Sequence, residues 1–335
     1  MSELNRHEKL GLTDEDVINM YKTMKLARKI DERMWLLNRA GKIPFVVSCQ
    51  GQEGAQIGAA FALNREKDYI APYYRDLGVV LHFGMTTQEI MLSAFAKAED
   101  PSSGGRQMPS HFGSKERRII TGSSPVTTQV PHAVGFALSA KMKGKDFVTF
   151  TSLGDGSTNQ GDFHEALNFA GVHQLPVITF VENNELAISV PIEEQIASET
   201  IAVRAESYGM EGVRVDGNDP LACYEAVKEA HNRALNGEGP SLIEAVTTRL
   251  MAHSSDDNEK QYRTEEELKH AKENDCLLLF ESYLKEVSVL TDEIYDEIDS
   301  QIKTDINEAT EYAEKAPYPD PSTIHDYVYA AEEGE

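Results

Sequence analysis

Residues 146–164, DFVTFTSLGDGSTNQGDFH, place a β-branched run directly before an aspartate that is flanked by two glycines. The run predicts a strand over 146–153, and residues 158–174 have the apolar spacing of a helix. Asp155 would then stand at the carboxyl end of a strand, with no side chain on either side of it. Three interpretations are open at this point: a tight turn, a phosphate-binding loop or a metal ligand.

Strands and helices alternate on both sides of this stretch. Helices are predicted over 129–143, near 199–208 and over 219–236, and strands over LPVITFVE, GVRVDG and SLIEAVTTRL. Such alternation is typical of a parallel sheet that is covered by helices on both faces. The sequence therefore predicts an α/β fold built on a largely parallel sheet.

The two ends of the chain differ from this centre. Thr13 and Asp16 form a capping-box pattern before a long amphipathic helix, which Gly41 ends. A further helix is predicted over 86–97, and from Thr264 onward the pattern is helical and acidic. We expect three parts: an N-terminal helical arm (1–45), an α/β domain (46–262) and an acidic helical C-terminal region (263–335). The Pro-rich stretch APYPDPSTIHDYVY near the end predicts an extended tail or arm, and the C-terminal region would pack on the same domain or on partner subunits.

Composition excludes some classes of function. The 335-residue chain has a net charge of −24, and from residue 256 onward 24 acidic residues face seven basic ones. This balance disfavours nucleic acid as a partner. No apolar run has the length of about 18 residues that a membrane span needs, and the N-terminus lacks the apolar core of a signal peptide. Three scattered cysteines predict no disulfide framework, and we expect a cytoplasmic protein.

A second polar pair follows the next predicted strand. Asn183 and Asn184 come after LPVITFVE, with 26 residues between Gly156 and Asn183. Because adjacent parallel strands present their carboxyl ends side by side, Asp155 and Asn184 are expected to face one ion. A carboxylate and an amide oxygen suit a hard cation such as Mg²⁺. Either motif alone is more often a turn, but the two at this spacing favour a metal and phosphate site.

Gly-Asp-Gly followed at this distance by Asn-Asn resembles the thiamine diphosphate motif. YYRDLG, GGRQMPSHFG, GSSPVTTQVPHAVG, ENNELAISVP and HSSDD also occur in this order. In this the chain resembles the α subunits of the decarboxylating components of 2-oxo acid dehydrogenase complexes. It is most similar to the bacterial branched-chain type, on LNRAGKIPFVVSCQGQE and the ending DYVYA. The resemblance implies a thiamine-diphosphate-binding fold and an α2β2 heterotetramer with a separate β subunit.

The resemblance also implies roles for single residues. Asp155 and Asn184 would bind Mg²⁺ through their side chains, and Leu186 would bind it through its backbone carbonyl. Arg75 would hold the diphosphate, because its planar guanidinium matches phosphate oxygens. The alternative for Arg75 is an ion pair with its neighbour Asp76. The other cofactor contacts implied are Tyr74, Ser124, Val126, Gly156 and Ser157.

Two histidines and a serine are further candidates for a functional role. His253 follows SLIEAVTTRL, and the resemblance gives it a catalytic place beside the diphosphate, where it would neutralise developing charge. His111, in the long polar loop 101–128, ranks below it. Ser254 stands where mammalian relatives are phosphorylated, although an ordinary loop serine is favoured here. A potassium-binding loop of those relatives is matched by Ser123, Pro125, Thr128 and Gln129.

Two departures affect the expected site. Mammalian branched-chain relatives have an arginine near the position of Glu182, so either the loop geometry differs here or Arg75 and the metal carry more of the charge. Thiamine activation also needs a carboxylic acid, and no glutamate in the chain matches that role. Glu53 in GQEG is the nearest candidate, but its motif matches a structural stretch. The resemblance places this acid on the β subunit, so the chain would form half of an active site.

The activity implied is oxidative decarboxylation of branched-chain 2-oxo acids in branched-chain amino acid catabolism. The acyl group would pass to a lipoyl group on the acyltransferase core of the complex. Pyruvate or acetoin is an alternative substrate, because pyruvate-specific relatives share the cofactor motifs. A non-catalytic scaffolding subunit is an alternative of another class. Its mark would be the loss of Asp155, Asn184 or Arg75, and all three are present.

Overall fold

Five parallel strands form the central sheet of the computed structural model, which describes residues 4–329. These strands are β1 (Tyr69–Ala71), β2 (Thr149–Gly154), β3 (Val177–Asn183), β6 (Glu211–Asp216) and β7 (Ser241–Val246). Their order is β1-β2-β3-β7-β6, and every neighbouring pair is parallel. Two short antiparallel strands, β4 (Leu186–Ala187) and β5 (Val190–Pro191), follow β3. The predicted α/β fold with a largely parallel sheet is confirmed.

Twelve α-helices surround the sheet within the described range. They are α1 (Arg6–Lys9), α2 (Asp14–Arg39), α3 (Glu53–Phe61), α4 (Leu77–His82), α5 (Thr87–Ala94), α6 (Gln129–Lys143), α7 (Gly161–Val172), α8 (Ile192–Gln195), α9 (Pro220–Leu235), α10 (Glu265–Glu273), α11 (Cys276–Glu286) and α12 (Asp292–Lys315). The predicted capping box is confirmed, since Thr13 Oγ1 accepts from Asp16 N at 3.1 Å and the Asp16 carboxylate accepts from Thr13 N at 2.8 Å. None of these helices is long and apolar enough to cross a membrane.

One predicted helix is wrong in type. The segment near 199–208 forms a 3₁₀ helix over Ala202–Tyr208, which ends at Gly209 with φ of 64°. The Ala202 amide donates to the buried Glu244 carboxylate of β7 at 2.9 Å. Packing of this first turn on the sheet therefore sets the geometry, and 3₁₀ turns are common in such short connections.

Both faces of the sheet are covered by apolar side chains. On one face, Phe150 and Phe180 pack in a core with α2, α3, α9, α11 and α12. On the other face, Leu153 and Val181 pack against α6 and α7. Successive side chains along β2 and β3 point to opposite faces of the sheet, so each strand contributes residues to two separate cores. The proposed domain boundaries at residues 45 and 262 stay a prediction.

The C-terminal segment lies on this chain. Beyond α12, a 3₁₀ turn spans Pro321–His325. The Pro317 carbonyl accepts from the Ala98 amide at 3.0 Å, and Lys97 Nζ lies 3.8 Å from the ring centroid of Tyr318. The segment therefore packs beside the start of the long polar loop. The last residue of the DYVYA ending falls outside the described residues.

Candidate active site

A cavity of about 400 Å³ opens at the carboxyl ends of β2 and β3. The structure places most of the residues predicted from the sequence around this one space. Those that line it are Tyr74, Arg75, Ser123, Ser124, Val126, Asp155, Gly156, Ser157, Asn184, Leu186 and His253. Such crevices at strand ends are where parallel α/β sheets bind ligands.

Asp155 and Asn184 supply buried oxygens to the cavity. Asp155 follows β2 and begins a 3₁₀ turn over Asp155–Asn159, so the predicted helix starts later, at Gly161. The two side chains are 1% and 8% exposed. Among residues 4–329, neither Asp155 Oδ2 nor Asn184 Oδ1 has a hydrogen-bond partner. Buried oxygens without donors are rare, and this pair fits a hard cation.

Burial raises the pKa of the Asp155 carboxyl above its ordinary value. A bound cation would reverse this cost, because it favours the ionised form. No group of three or more His, Cys, Asp or Glu side chains within the described range could hold a metal. The predicted ligand set has a different composition: one carboxylate, one amide oxygen and one backbone carbonyl.

A turn that is anchored on Glu244, which the sequence analysis did not identify, precedes and follows Asn184. Asn183 Nδ2 donates to Glu244 Oε1 at 2.8 Å, and Asn183 Oδ1 accepts from the Glu185 amide at 2.9 Å. Glu185 has φ of 64°, so the chain reverses directly after Asn184. Glu244 is 1% exposed inside β7, and an acid within the strand pattern SLIEAVTTRL is the signal that could have identified it.

The two glycines beside Asp155 have different roles. A Cβ atom on Gly156 would lie 2.6 Å from the Ala187 Cβ, which is closer than real contacts allow. A Cβ on Gly154 would have ordinary contact, 3.8 Å from a Tyr73 ring carbon. Packing against β4 therefore requires Gly156 but leaves room at Gly154.

Arg75 is 2% exposed and faces His253. Its Nη1 donates to the Ser48 carbonyl at 2.6 Å, and its Nη2 donates to the His253 carbonyl at 3.1 Å and lies 2.9 Å from His253 Nδ1. Asp76 accepts instead from the Tyr73 amide and from Ser152 Oγ. The alternative of a surface ion pair between Arg75 and Asp76 is therefore wrong.

His253 is held as a neutral imidazole. Burial lowers its pKa to about 4, and the nearby charges of Arg75 and Arg249 act in the same direction. Because a guanidinium only donates, Nδ1 must be the acceptor, and the proton of the neutral ring is on Nε2. The side chain thus keeps one N–H donor that Arg75 does not use.

Arg249 is a charged neighbour that the sequence analysis missed. It is 2% exposed, and its Nη2 donates to the Ile188 carbonyl at 3.1 Å and to the Tyr262 hydroxyl at 2.9 Å. Its Nε and Nη1 have no hydrogen-bond partner in the described part of the chain. Burial lowers the pKa of this guanidinium. Its position at the end of SLIEAVTTRL, four residues before His253, was the available signal.

Glu182 points into the core and does not line the cavity. Its Oε2 accepts from Gln56 Nε2 and from the Tyr73 hydroxyl, both at 3.1 Å. Burial, and then the neighbouring Asp76, raise the pKa of Glu182. The loop geometry therefore keeps this acid away from the space where a diphosphate would lie.

His111, which the sequence analysis ranked below His253, also lies at the site. It lines the cavity, and its Nε2 is 2.7 Å from Ser124 Oγ. Ser254 is 8% exposed, and its hydroxyl accepts from the Asp256 amide, which supports an ordinary loop serine. His111 and Ser124 are 13 residues apart in the sequence, and the fold of the polar loop brings them together.

The residues of the predicted potassium loop lie at the start of α6. Thr128 Oγ1 donates to the Pro125 carbonyl at 3.0 Å, and Gln129 Nε2 donates to the Ser152 carbonyl of β2 at 2.9 Å. Ser123 is the one member of the set that lines the cavity. Binding of potassium by these four residues stays a prediction.

This fold and site define an α/β protein whose cavity combines a buried carboxylate, an amide oxygen and an arginine–histidine pair. The family model described as dehydrogenase E1 component matches residues 21–322. The chain therefore belongs to that family, which implies thiamine diphosphate as the cofactor and a β subunit as a partner.

Relatives from distant organisms resemble the chain over nearly its whole length. A "2-oxoisovalerate dehydrogenase subunit alpha" of Bacillus subtilis is 63% identical over 326 residues, which cover 97% of this chain and 99% of the relative. A "3-methyl-2-oxobutanoate dehydrogenase subunit alpha" of Mycobacterium tuberculosis is 37% identical, covering 95% and 84% of the two chains. A mitochondrial "2-oxoisovalerate dehydrogenase subunit alpha" of Mus musculus is 36% identical, covering 97% and 74%.

Proposed function

We propose that this chain is the α subunit of a branched-chain 2-oxo acid dehydrogenase of the 3-methyl-2-oxobutanoate type. With its β subunit, it would decarboxylate branched-chain 2-oxo acids and transfer the acyl group to a lipoyl group of the acyltransferase core. The observation that carries the proposal is the meeting of Asp155, Asn184, Arg75 and His253 around one cavity. The names of the relatives support the branched-chain substrate.

The residues of this chain would mainly bind and orient the cofactor. Thiamine diphosphate, when bound, supplies the carbanion chemistry. Asp155, Asn184 and the Leu186 carbonyl would hold Mg²⁺, and Arg75 would bind the diphosphate oxygens. Guanidinium N–H groups are strong phosphate ligands in a site of low polarity. The further contacts proposed are Tyr74, Gly156 and Ser157 at the diphosphate and Ser124 and Val126 at the pyrimidine.

His253 is the catalytic residue that we assign to this chain. Its neutral ring has an N–H at Nε2, while Nδ1 is held by Arg75 at 2.9 Å. A fixed donor of this kind stabilises negative charge as it develops on a reacting oxygen. The hydrogen bond from the His253 amide to Asp257 at 2.8 Å holds the backbone in place.

The cavity needs an acid from another chain. Among the described residues that line it, Asp155 is the single carboxylate, and the metal would occupy it. Glu53 is fully buried and bonded to Arg28 at 2.6 Å, so it is not available to activate the cofactor. We infer an α2β2 heterotetramer in which the β subunit supplies the activating acid.

Replacing the proposed metal ligand tests this function. In the reconstituted α2β2 protein, Asp155→Ala should abolish Mg²⁺-dependent binding of thiamine diphosphate in calorimetry and remove turnover. Binding and turnover near those of the wild type would overturn the metal assignment. If the unaltered protein shows no Mg²⁺-dependent binding, a scaffolding subunit is favoured instead. Turnover with 3-methyl-2-oxobutanoate, pyruvate and acetoin then decides the substrate.

The proposal also includes a cytoplasmic location and a potassium site. We infer a cytoplasmic protein, which is supported by three cysteines that are all buried and unpaired. Potassium would bind at Ser123, Pro125, Thr128 and Gln129, whose hydroxyl and carbonyl oxygens suit such a cation. The thermal midpoint of the cofactor-free protein, measured at increasing potassium concentration, tests this second site, because bound potassium should raise it.

A further inference from the structure

Asp31 is a buried carboxylate of α2 that, within residues 4–329, bonds to a loop and not to a cationic side chain. It is fully buried, and its oxygens accept three hydrogen bonds. Ser48 Oγ and Gln50 Nε2 donate to Oδ1 at 2.9 and 2.7 Å, and the Cys49 amide donates to Oδ2 at 2.8 Å. All three donors lie in the loop between α2 and α3, so one carboxylate fixes three consecutive residues.

The same loop supports both sides of His253. The Val46 carbonyl accepts from the Ser255 amide at 2.9 Å, and the Gln50 carbonyl accepts from the Leu250 amide at 3.1 Å. Gly51 comes so close to this segment that a Cβ would lie 2.0 Å from the Thr248 carbonyl oxygen. Residues 46–51 are therefore joined to residues 248–255 on both sides of the histidine.

The loop also fixes Arg75. The Ser48 carbonyl accepts from Arg75 Nη1 at 2.6 Å, while Nη2 bonds to His253. Ser48 thus contacts Asp31 through its hydroxyl and Arg75 through its carbonyl. We propose that Asp31 is a positioning residue for diphosphate binding, which acts by holding the Ser48 carbonyl where it orients the Arg75 guanidinium. This inference rests on the proposed function, because it takes diphosphate as the ligand of Arg75.

Asp31 is a poor choice for stability alone. Burial raises its pKa to about 6, despite the three hydrogen bonds that favour the charged form. An isolated buried charge costs folding free energy, and a structural role of this kind is usually filled by a paired charge. Arg28, one turn earlier on α2, is such a paired charge, since it bonds to both Glu53 and Asp275. Arg28 is thus matched by opposite charges, whereas Asp31 is matched by the hydrogen-bond donors of the loop.

Asp68 offers a matched control at the amino end of β1. It is 1% exposed and also accepts three hydrogen bonds: from the Val148 amide at 2.8 Å, the Asn64 amide at 2.7 Å and His231 Nε2 at 2.8 Å. None of these partners lines the cavity. A substitution here disturbs a buried carboxylate of similar connectivity without touching the loop of residues 46–51.

The test uses Asp31→Asn and Asp68→Asn in the assembled α2β2 protein at saturating Mg²⁺. Asp31→Asn should raise the Kd for thiamine diphosphate about tenfold, while kcat at saturating cofactor stays within about twofold. Asp68→Asn should lower the thermal midpoint but leave the Kd within about twofold. Equal changes of Kd in both variants, or no change in Asp31→Asn, would overturn the inference.

A milder variant keeps the test decisive if Asp31→Asn fails to assemble. Ser48→Ala removes one of the three donors to Asp31 and retains the carbonyl that Arg75 uses. It should raise the Kd for thiamine diphosphate about threefold, again with kcat at saturating cofactor maintained. An unchanged Kd in Ser48→Ala would contradict the proposed link.

A double-mutant cycle with Arg75→Ala distinguishes an error about Asp31 from an error about the diphosphate role of Arg75. If Asp31 acts through Arg75, Asp31→Asn should have almost no further effect on the Kd once Arg75 is alanine. A full tenfold effect in that background overturns the inference about Asp31 and leaves the proposed function standing. If Arg75→Ala by itself leaves the Kd unchanged, the diphosphate role of Arg75 is wrong and the inference about Asp31 falls with it, while the Asp155→Ala test still decides the proposed function.

Discussion

Two groups of buried charged side chains differ in how completely they are paired. In the first group, between α2, α3 and α11, Arg28 bonds to Glu53 at 2.6 and 3.1 Å and to Asp275 at 2.8 and 2.9 Å. Both carboxylates also accept backbone amides, from Gly51 and Leu277. This group is satisfied by its own members.

The second group lines or adjoins the cavity and has open positions. Asp155 Oδ2, Asn184 Oδ1 and two nitrogens of Arg249 have no hydrogen-bond partner within residues 4–329. A satisfied buried group stabilises the fold, whereas an open one costs stability until a ligand completes it. The comparison separates buried charges that the protein itself satisfies from cavity groups whose partners the proposed metal and cofactor would supply.

The largest expected effect is in the framework group. Glu53→Ala would leave Arg28 with one carboxylate and the Gly51 amide without its acceptor. The free energy of unfolding of the cofactor-free α2β2 protein should fall by about 3–5 kcal/mol, measured by chemical denaturation. The matched control is Glu32→Ala, which removes the exposed pair with Lys29 and should change it by less than about 0.5 kcal/mol. Similar losses in the two variants would contradict the distinction.

The next effect belongs to the open group. Asn184→Ala should weaken Mg²⁺-dependent binding of thiamine diphosphate about 100-fold in calorimetry, because the proposed amide ligand of the metal is removed. The unfolding midpoint of the cofactor-free protein should stay near that of the wild type, since Asn184 Oδ1 makes no hydrogen bond there. A large loss of stability together with unchanged binding would move Asn184 into the framework group.

A smaller effect separates the two glycines of the motif. Gly156→Ala should cost about 1–3 kcal/mol of unfolding free energy, because its Cβ would overlap that of Ala187. Gly154→Ala should cost less than about 0.5 kcal/mol, since its φ of −81° suits alanine and the nearest atom is 3.8 Å away. Denaturation of the two variants side by side decides this, and equal costs would refute the packing argument.

The smallest effect is on protonation. In the cofactor-free protein, ring resonances of His253 should titrate near pH 4, below the ordinary value of about 6.5. Between these values the unfolded chain binds more protons, so the contribution of His253 to stability falls as the pH is lowered through that window. Arg75→Met should raise the pKa of His253, because it removes a nearby positive charge. A pKa that stays near 4 in Arg75→Met would assign the shift to burial and to Arg249.

Much of the fold could be predicted because its signals are local. The β-branched runs before Asp155 and Asn183 indicated β2 and β3, and helical spacing gave α6 over its full length. The 3₁₀ segment over Ala202–Tyr208 could not be predicted in type, since its geometry depends on a hydrogen bond to Glu244, 42 residues away. Local propensity does not encode such contacts.

The sequence by itself determined the parallel sheet and the neighbouring places of Asp155 and Asn184, because strand pattern and crossover length fix which strand ends meet. Only the tertiary structure decided how these ends are supported. The turn that Glu244 holds at Asn183, the placement of Arg249 and the link from Asp31 through Ser48 to Arg75 all join residues from distant parts of the chain. Such contacts exist only after the helices have packed on the sheet, and no local pattern specifies them.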